Sequence, residues 1–98
     1  MKLTKGNVSR VLVAGGVARS VIVRGRIRGL GGVTEGFEYI KESSDSFLLG
    51  YTRRSGSYSG YESFLERRAE KIQKMVALLL EKGFKAEVEE TDYVRVTL

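Results

Sequence analysis

The stretch from Ser59 to Gly83 constrains the fold more than any other part of the chain. Tyr61, Phe64, Leu65, Ala69, Ile72, Val76, Leu79 and Leu80 recur at intervals of three and four, which gathers them on one stripe of an α-helix. Ser59-Gly60-Tyr61-Glu62 fits a capping box, in which the serine oxygen accepts from a first-turn amide and the glutamate reaches back to the serine N–H. Gly83 offers the left-handed position past the last turn, and Lys82 complements the helix dipole there. From Met75 to Leu80 the residues are apolar all round. That end is expected to be buried on two sides, by strands or by a second copy of the chain through Met75, Leu78 and Leu80.

The rest of the chain reads as strands. Val8 to Leu30 has many β-branched residues and the pair Gly15-Gly16. Two glycines inside a helix cost about 1 kcal/mol each, whereas a tight hairpin turn uses them. A first hairpin is therefore expected here, turning at Ala14-Gly15-Gly16. On its second strand Val21, Val23 and Ile27 share one face and Arg24, Arg26 and Arg28 the other. A second hairpin pairs Glu35–Glu42 with Ser46–Arg53 around Ser43-Ser44-Asp45, although Ile40 and Leu48 fall on the opposite face from their apolar neighbours. A third pairs Phe84, Ala86 and Val88 with Val94, Val96 and Leu98. The fold class expected is α+β: one domain over residues 1–98, an antiparallel sheet of about six strands in three hairpins with one long amphipathic helix, in the order β-β-β-β-α-β-β.

Composition removes most catalytic chemistries. The chain has no cysteine and no histidine, so thiolate and imidazole nucleophiles, bases and metal ligands are missing. The only aspartates, Asp45 and Asp92, sit in expected turns. The glycines between Gly25 and Gly32 lack the Walker lysine and the G-x-G-x-x-G spacing. Glu87, Glu89, Glu90 and Asp92 lack the EF-hand spacing and read as a solvated hairpin edge. No enzyme, cofactor or metal is expected. The longest apolar run, Val11 to Ala18, is far short of a membrane span and of a cleavable signal, so a cytoplasmic protein is expected. One Asn, one Gln and abundant Glu, Lys and Arg fit a thermophilic habit, against which the lack of proline counts.

Charge carries the functional reading. The net charge is +5, yet residues 1–34 hold Lys2, Lys5, Arg10, Arg19, Arg24, Arg26 and Arg28 and no acid, while all twelve acidic residues lie beyond. Three guanidiniums on one strand face repel one another unless something anionic meets them, and arginine forks fit phosphate oxygens. Arg53 and Arg54 open a Ser/Gly/Tyr loop that runs into the long helix; exposed helix amides and mobile hydroxyls there suit an anion. Tyr51, Tyr58 and Tyr61 offer rings for base stacking, with Tyr61 better explained by the helix stripe and Tyr58 the more open. Arg67, Arg68, Lys71 and Lys74 are expected to pair along the helix with Glu62, Glu66 and Glu70. The expected nucleic-acid contacts are Arg19, Arg24, Arg26, Arg28, Arg53, Arg54 and Tyr58. The rival expectation is an assembly module whose arginines meet an acidic protein.

Overall fold

The computed structural model describes residues 1–20, 34–54 and 60–98. Its elements run α1 (Lys5–Ala14), β1 (Thr34–Glu42), β2 (Ser46–Arg54), α2 (Tyr61–Glu81), β3 (Lys85–Glu89) and β4 (Tyr93–Thr97). The chain is α+β, but the described sheet has four strands rather than about six, and there are two helices rather than one.

The correction lies at Val8 to Val13, expected as a strand and found inside the helix Lys5–Ala14. Val8, Val11 and Leu12 are buried while Val13 is 55% exposed, so spacing by three and four prevails over alternation. The Thr4 side chain caps the helix by accepting from the Asn7 amide at 3.1 Å. Gly15 and Gly16 are not interior to the helix; they terminate it. Gly16 has φ +90°, its amide donates to Val13 O at 3.0 Å, and the Val17 amide donates to Leu12 O at 2.9 Å. This is a Schellman ending, in which glycine takes the left-handed position and the next residue returns to the core. Val17 is fully buried. The strand expected to carry Arg24, Arg26 and Arg28 lies outside the described residues.

α2 ends in the same way. Gly83 has φ +92°, and the Phe84 amide donates to Leu79 O at 3.1 Å. Its start differs from the expected capping box: Gly60 is the N-cap, in a left-handed conformation and without a side-chain cap hydrogen bond, and Ser59 lies outside the described residues.

The strands are antiparallel in the order β1-β2-β4-β3. Phe37, Phe47, Leu49, Tyr51, Val94 and Val96 turn inward and meet Val8, Val11 and Leu12 of α1 and Phe64, Ile72, Met75 and Leu79 of α2 in one core. The register of β1 against β2 slips between Tyr39 and Lys41. The extra residue, Ile40, is 40% exposed and lies with Tyr93 over Gly50 on the face away from the helices. Leu48, also on that face, is 7% exposed, so the apolar residues of β2 on both faces are covered.

The all-round apolar end of α2 has its explanation in α1. Met75 is fully buried in the core and offers no surface to a second copy. Leu78 packs where a side chain on Gly15 would otherwise sit. Leu80 alone of the three is open, at 52%. Beyond Val17, Ala18 to Ser20 run parallel to β1: the Phe37 amide donates to Ala18 O at 2.9 Å and the Ser20 amide to Phe37 O at 3.0 Å. Among the described residues, no helix is long and apolar enough to cross a membrane.

Candidate nucleic-acid interface

Of the seven expected contacts, the structure describes Arg19 and Arg53 with their side chains and places Arg54 at the end of β2. Arg24, Arg26, Arg28 and Tyr58 lie outside the described residues. Arg19 is fixed by the backbone bridge to Phe37, and its guanidinium carbon stands 5.8 Å from the centre of the Tyr39 ring. The Lys5 ammonium is 5.0 Å from the same ring, so two cations share one aromatic surface.

Tyr39 is held firmly for that role. Its hydroxyl donates to Lys5 O at 2.9 Å, which uses its one proton, so the Ser9 hydroxyl at 2.8 Å is the donor to it. Phe37 and Phe47 meet the ring edge-on at 6.1 and 5.6 Å. Burial raises the phenol's pKa above its ordinary value, with the Ser9 hydrogen bond opposing. Lys5, Arg19, Ser20, Phe37, Glu38, Tyr39 and Glu42 line an open cleft of about 480 Å³, so two carboxylates share it with the two cations. The ion pair of Lys5 with Glu42, at 2.5 Å, offsets one of the two cations. No described carboxylate is in ion-pair distance of Arg19. The buried Ser20 hydroxyl has no hydrogen-bond partner among the described residues, which leaves a polar group at the cleft wall.

The second corner lies where β1 begins and β2 ends. Thr34 pairs with Arg54 and Glu35 with Arg53, so the segments 21–33 and 55–59 join the described fold at one pair of register partners. The Arg53 guanidinium lies beside Gly60, at the start of α2. Tyr61, expected on the core stripe, is 51% exposed and makes a tilted ring contact with Phe64. Tyr51, offered above as a stacking ring, is 5% exposed, lies flat on Phe64 at 6.1 Å and is closed to a base. Arg19 and Arg53 stand two strands across and two residues along from each other, about 12 Å by strand geometry, both on the helix side of the sheet.

The acids of β1 are occupied. The Tyr51 hydroxyl donates to Glu35 Oε2 at 2.8 Å, and Arg67 grips the same carboxylate through Nη2 at 2.7 Å and Nε at 3.1 Å. Arg67, with Tyr51 adding, holds Glu35 below the usual carboxylate range although burial pulls the other way. Thr52 donates to Glu38 at 3.0 Å. The helix cations therefore reach across the fold rather than along α2: Arg67 to Glu35, and Arg68 to Asp92 at 3.0 Å.

Sequence reasoning missed Lys5, Ser9 and Tyr39 as members of the first corner. Tyr39 alternates with Phe37 and reads as a core residue, and its partners are some 20 to 34 positions away, so local spacing does not reveal them. Comparisons of the chain with protein-family models, with curated proteins and with solved structures found no match.

Proposed function

We propose that this chain is a small nucleic-acid-binding domain without catalytic chemistry, which takes phosphates on its basic first third and on the Arg53–Tyr61 corner. The observation that carries the reading is the distribution of charge: seven basic residues and no acid in residues 1–34, within a chain of net charge +5. A one-signed stretch of chain of this kind attracts polyanions where its charges are exposed. The geometry around it supports the reading. Arg19 is anchored beside a rigid ring with no carboxylate of its own among the described residues, and the nearby β1 acids are engaged by Arg67, Thr52 and Lys5. Tyr61 replaces Tyr51 as the described ring open to an unpaired base.

Fluorescence anisotropy with single-stranded DNA, single-stranded RNA and duplex DNA, each at about 50 and about 200 mM salt, tests the reading. Binding is expected to weaken steeply with salt, by about 0.7 in log K per log salt for each phosphate met on a single strand and about 0.9 on a duplex. Changing Arg24, Arg26 and Arg28 together to serine should remove about two to three contacts from that slope, and Arg19→Ser about one. Absence of binding to all three at the lower salt overturns the proposal.

A further inference from the structure

β3 closes the sheet on the side away from β1, and no described strand pairs with its outer edge. The direction of its main-chain groups follows from the register. The Ser43 amide donates to Ser46 O, so Ser46 turns toward β1, and alternation turns Phe47 and Leu49 toward β4. Their partners Val96 and Val94 then face β2, which leaves Tyr93, Arg95 and Thr97 facing β3. On β3 the residues opposite these three, Glu89, Glu87 and Lys85, bond into the sheet. The N–H and C=O groups of Ala86 and Val88 are therefore directed away from it. The bonds of Phe37 to Ala18 and Ser20 on the far side of β1 obey the same alternation.

Two of the usual obstacles to pairing, a bulge and a proline, are absent from this edge: its register with β4 is unbroken and it has no proline; the charges of Lys85, Glu87 and Glu89 remain and restrict which partner it accepts. Val88 is 39% and Leu80 52% exposed on the helix side, and Leu80 shares a shallow pocket with Ala86 beside the edge. On the other face Lys85 and Glu87 are exposed.

We propose that the β3 edge pairs with the β3 edge of a second copy, antiparallel about a two-fold axis at Ala86, to make one continuous eight-stranded sheet. Outward-facing residues must oppose outward-facing ones, which puts the axis at Ala86, Glu87 or Val88. An axis at Glu87 sets that carboxylate against itself, and one at Val88 sets Glu87 against Glu89. An axis at Ala86 sets Lys85 of each copy opposite Glu87 of the other, twice. Opposite charges facing across strands stabilise a pair and like charges destabilise it, so charge selects the register at Ala86. The small Ala86 side chains then meet at the axis, with Val88 and Leu80 of both copies along the seam. The proposal is independent of the nucleic-acid reading, since β3 lies at the opposite edge of the sheet from β1 and contributes none of the residues assigned to phosphate.

Sedimentation velocity on the full chain tests it with Lys85→Glu and Glu87→Lys, each alone and mixed. The unmodified protein is expected to associate as its concentration rises, and each variant alone to associate at least about tenfold more weakly, because both facing pairs become like-charged. An equimolar mixture should recover the unmodified strength, since one variant then presents two acids to the other's two lysines. Ala86→Pro, which removes an outward N–H and no bond within the sheet, should abolish association while leaving the circular dichroism spectrum unchanged. The proposal is overturned if the unmodified protein stays monomeric up to about 1 mM, if neither charge change weakens association, or if the mixture associates no better than its components.

Discussion

Gly36→Val is expected to destabilise the fold by about 2 to 4 kcal/mol. A side chain at Gly36 would run into the backbone of Ala18, Arg19 and Ser20, and backbone cannot step aside as the tip of a lysine can. Overpacking of this kind costs about 1 to 3 kcal/mol. If residues 18–20 move away instead, the two hydrogen bonds to Phe37 go with them, at about 0.5 to 1.5 kcal/mol each. Against a total stability of about 5 to 15 kcal/mol for a domain of this size, the change is severe. Urea denaturation measures it, and hydrogen exchange should show the Ser20 and Phe37 amides losing protection first. A change within about 0.5 kcal/mol would exclude close packing of residues 18–20 against Gly36. Because Arg19 stands beside Tyr39 through this same bridge, the variant should also lose the salt-dependent contact assigned to Arg19.

The second large effect is expected at Glu35. Glu35→Ala leaves the buried Tyr51 hydroxyl without its acceptor, at about 1 to 3 kcal/mol, and releases the forked grip of Arg67. Glu35→Gln keeps an acceptor for the phenol and should cost less. The two variants also separate the pH dependence. The Arg67 hydrogen bonds, with Tyr51 adding, hold the folded Glu35 carboxyl below its ordinary value of 4.5. Its contribution is therefore present above that value and lost as the pH falls through the lowered one. Tyr51 behaves in the opposite sense. Burial first, and then the bond to Glu35, raise its pKa above the ordinary 10.0. The folded phenol keeps its proton where the unfolded one ionises, so its contribution is present below about pH 10 and lost as the pH climbs. Urea midpoints from about pH 2 to about pH 11 should show both limbs in the unmodified protein and a flattened acid limb in Glu35→Gln. An unchanged acid limb in that variant would exclude Glu35 as its source.

How much of this was legible in the sequence depended on whether two periods competed. In α2 one stripe recurs over 21 residues, and no alternating pattern fits it. The strand pair around Glu90–Asp92 alternates cleanly, and the pair around Ser43–Asp45 alternates except at Ile40 and Leu48, where the register slips; both end in turn formers. At residues 8–13 both periods were present: Val8, Val11 and Leu12 fit a helix, while Val11 and Val13 alternate. The glycines after them suited either a hairpin or a helix end. The decision comes from Leu78, which needs the bare backbone of Gly15 against it, a fact of packing rather than of spacing. The same reasoning covers the candidate site. Arg19 and Arg53 were visible as charges, but Tyr39 gathers Lys5, Ser9 and Arg19 from distant parts of the chain. Arg67 passes over the glutamates of its own helix for Glu35, because that carboxylate already accepts from a buried phenol and is fixed in place.

The strand order β1-β2-β4-β3 also has a consequence for the biogenesis of the protein. β4 is the last of the described strands in sequence yet lies between β2 and β3, which precede it. A nascent chain that has reached β3 can already dock α2 on the β1–β2 hairpin through Tyr51 on Phe64 and Arg67 on Glu35, but the β2 edge is bare and Phe47 and Leu49 are unmatched by Val96 and Val94. Residues 93–97 must be free of the ribosome before β4 can enter between β2 and β3 and complete the sheet. Until then the exposed β2 edge invites association between growing chains.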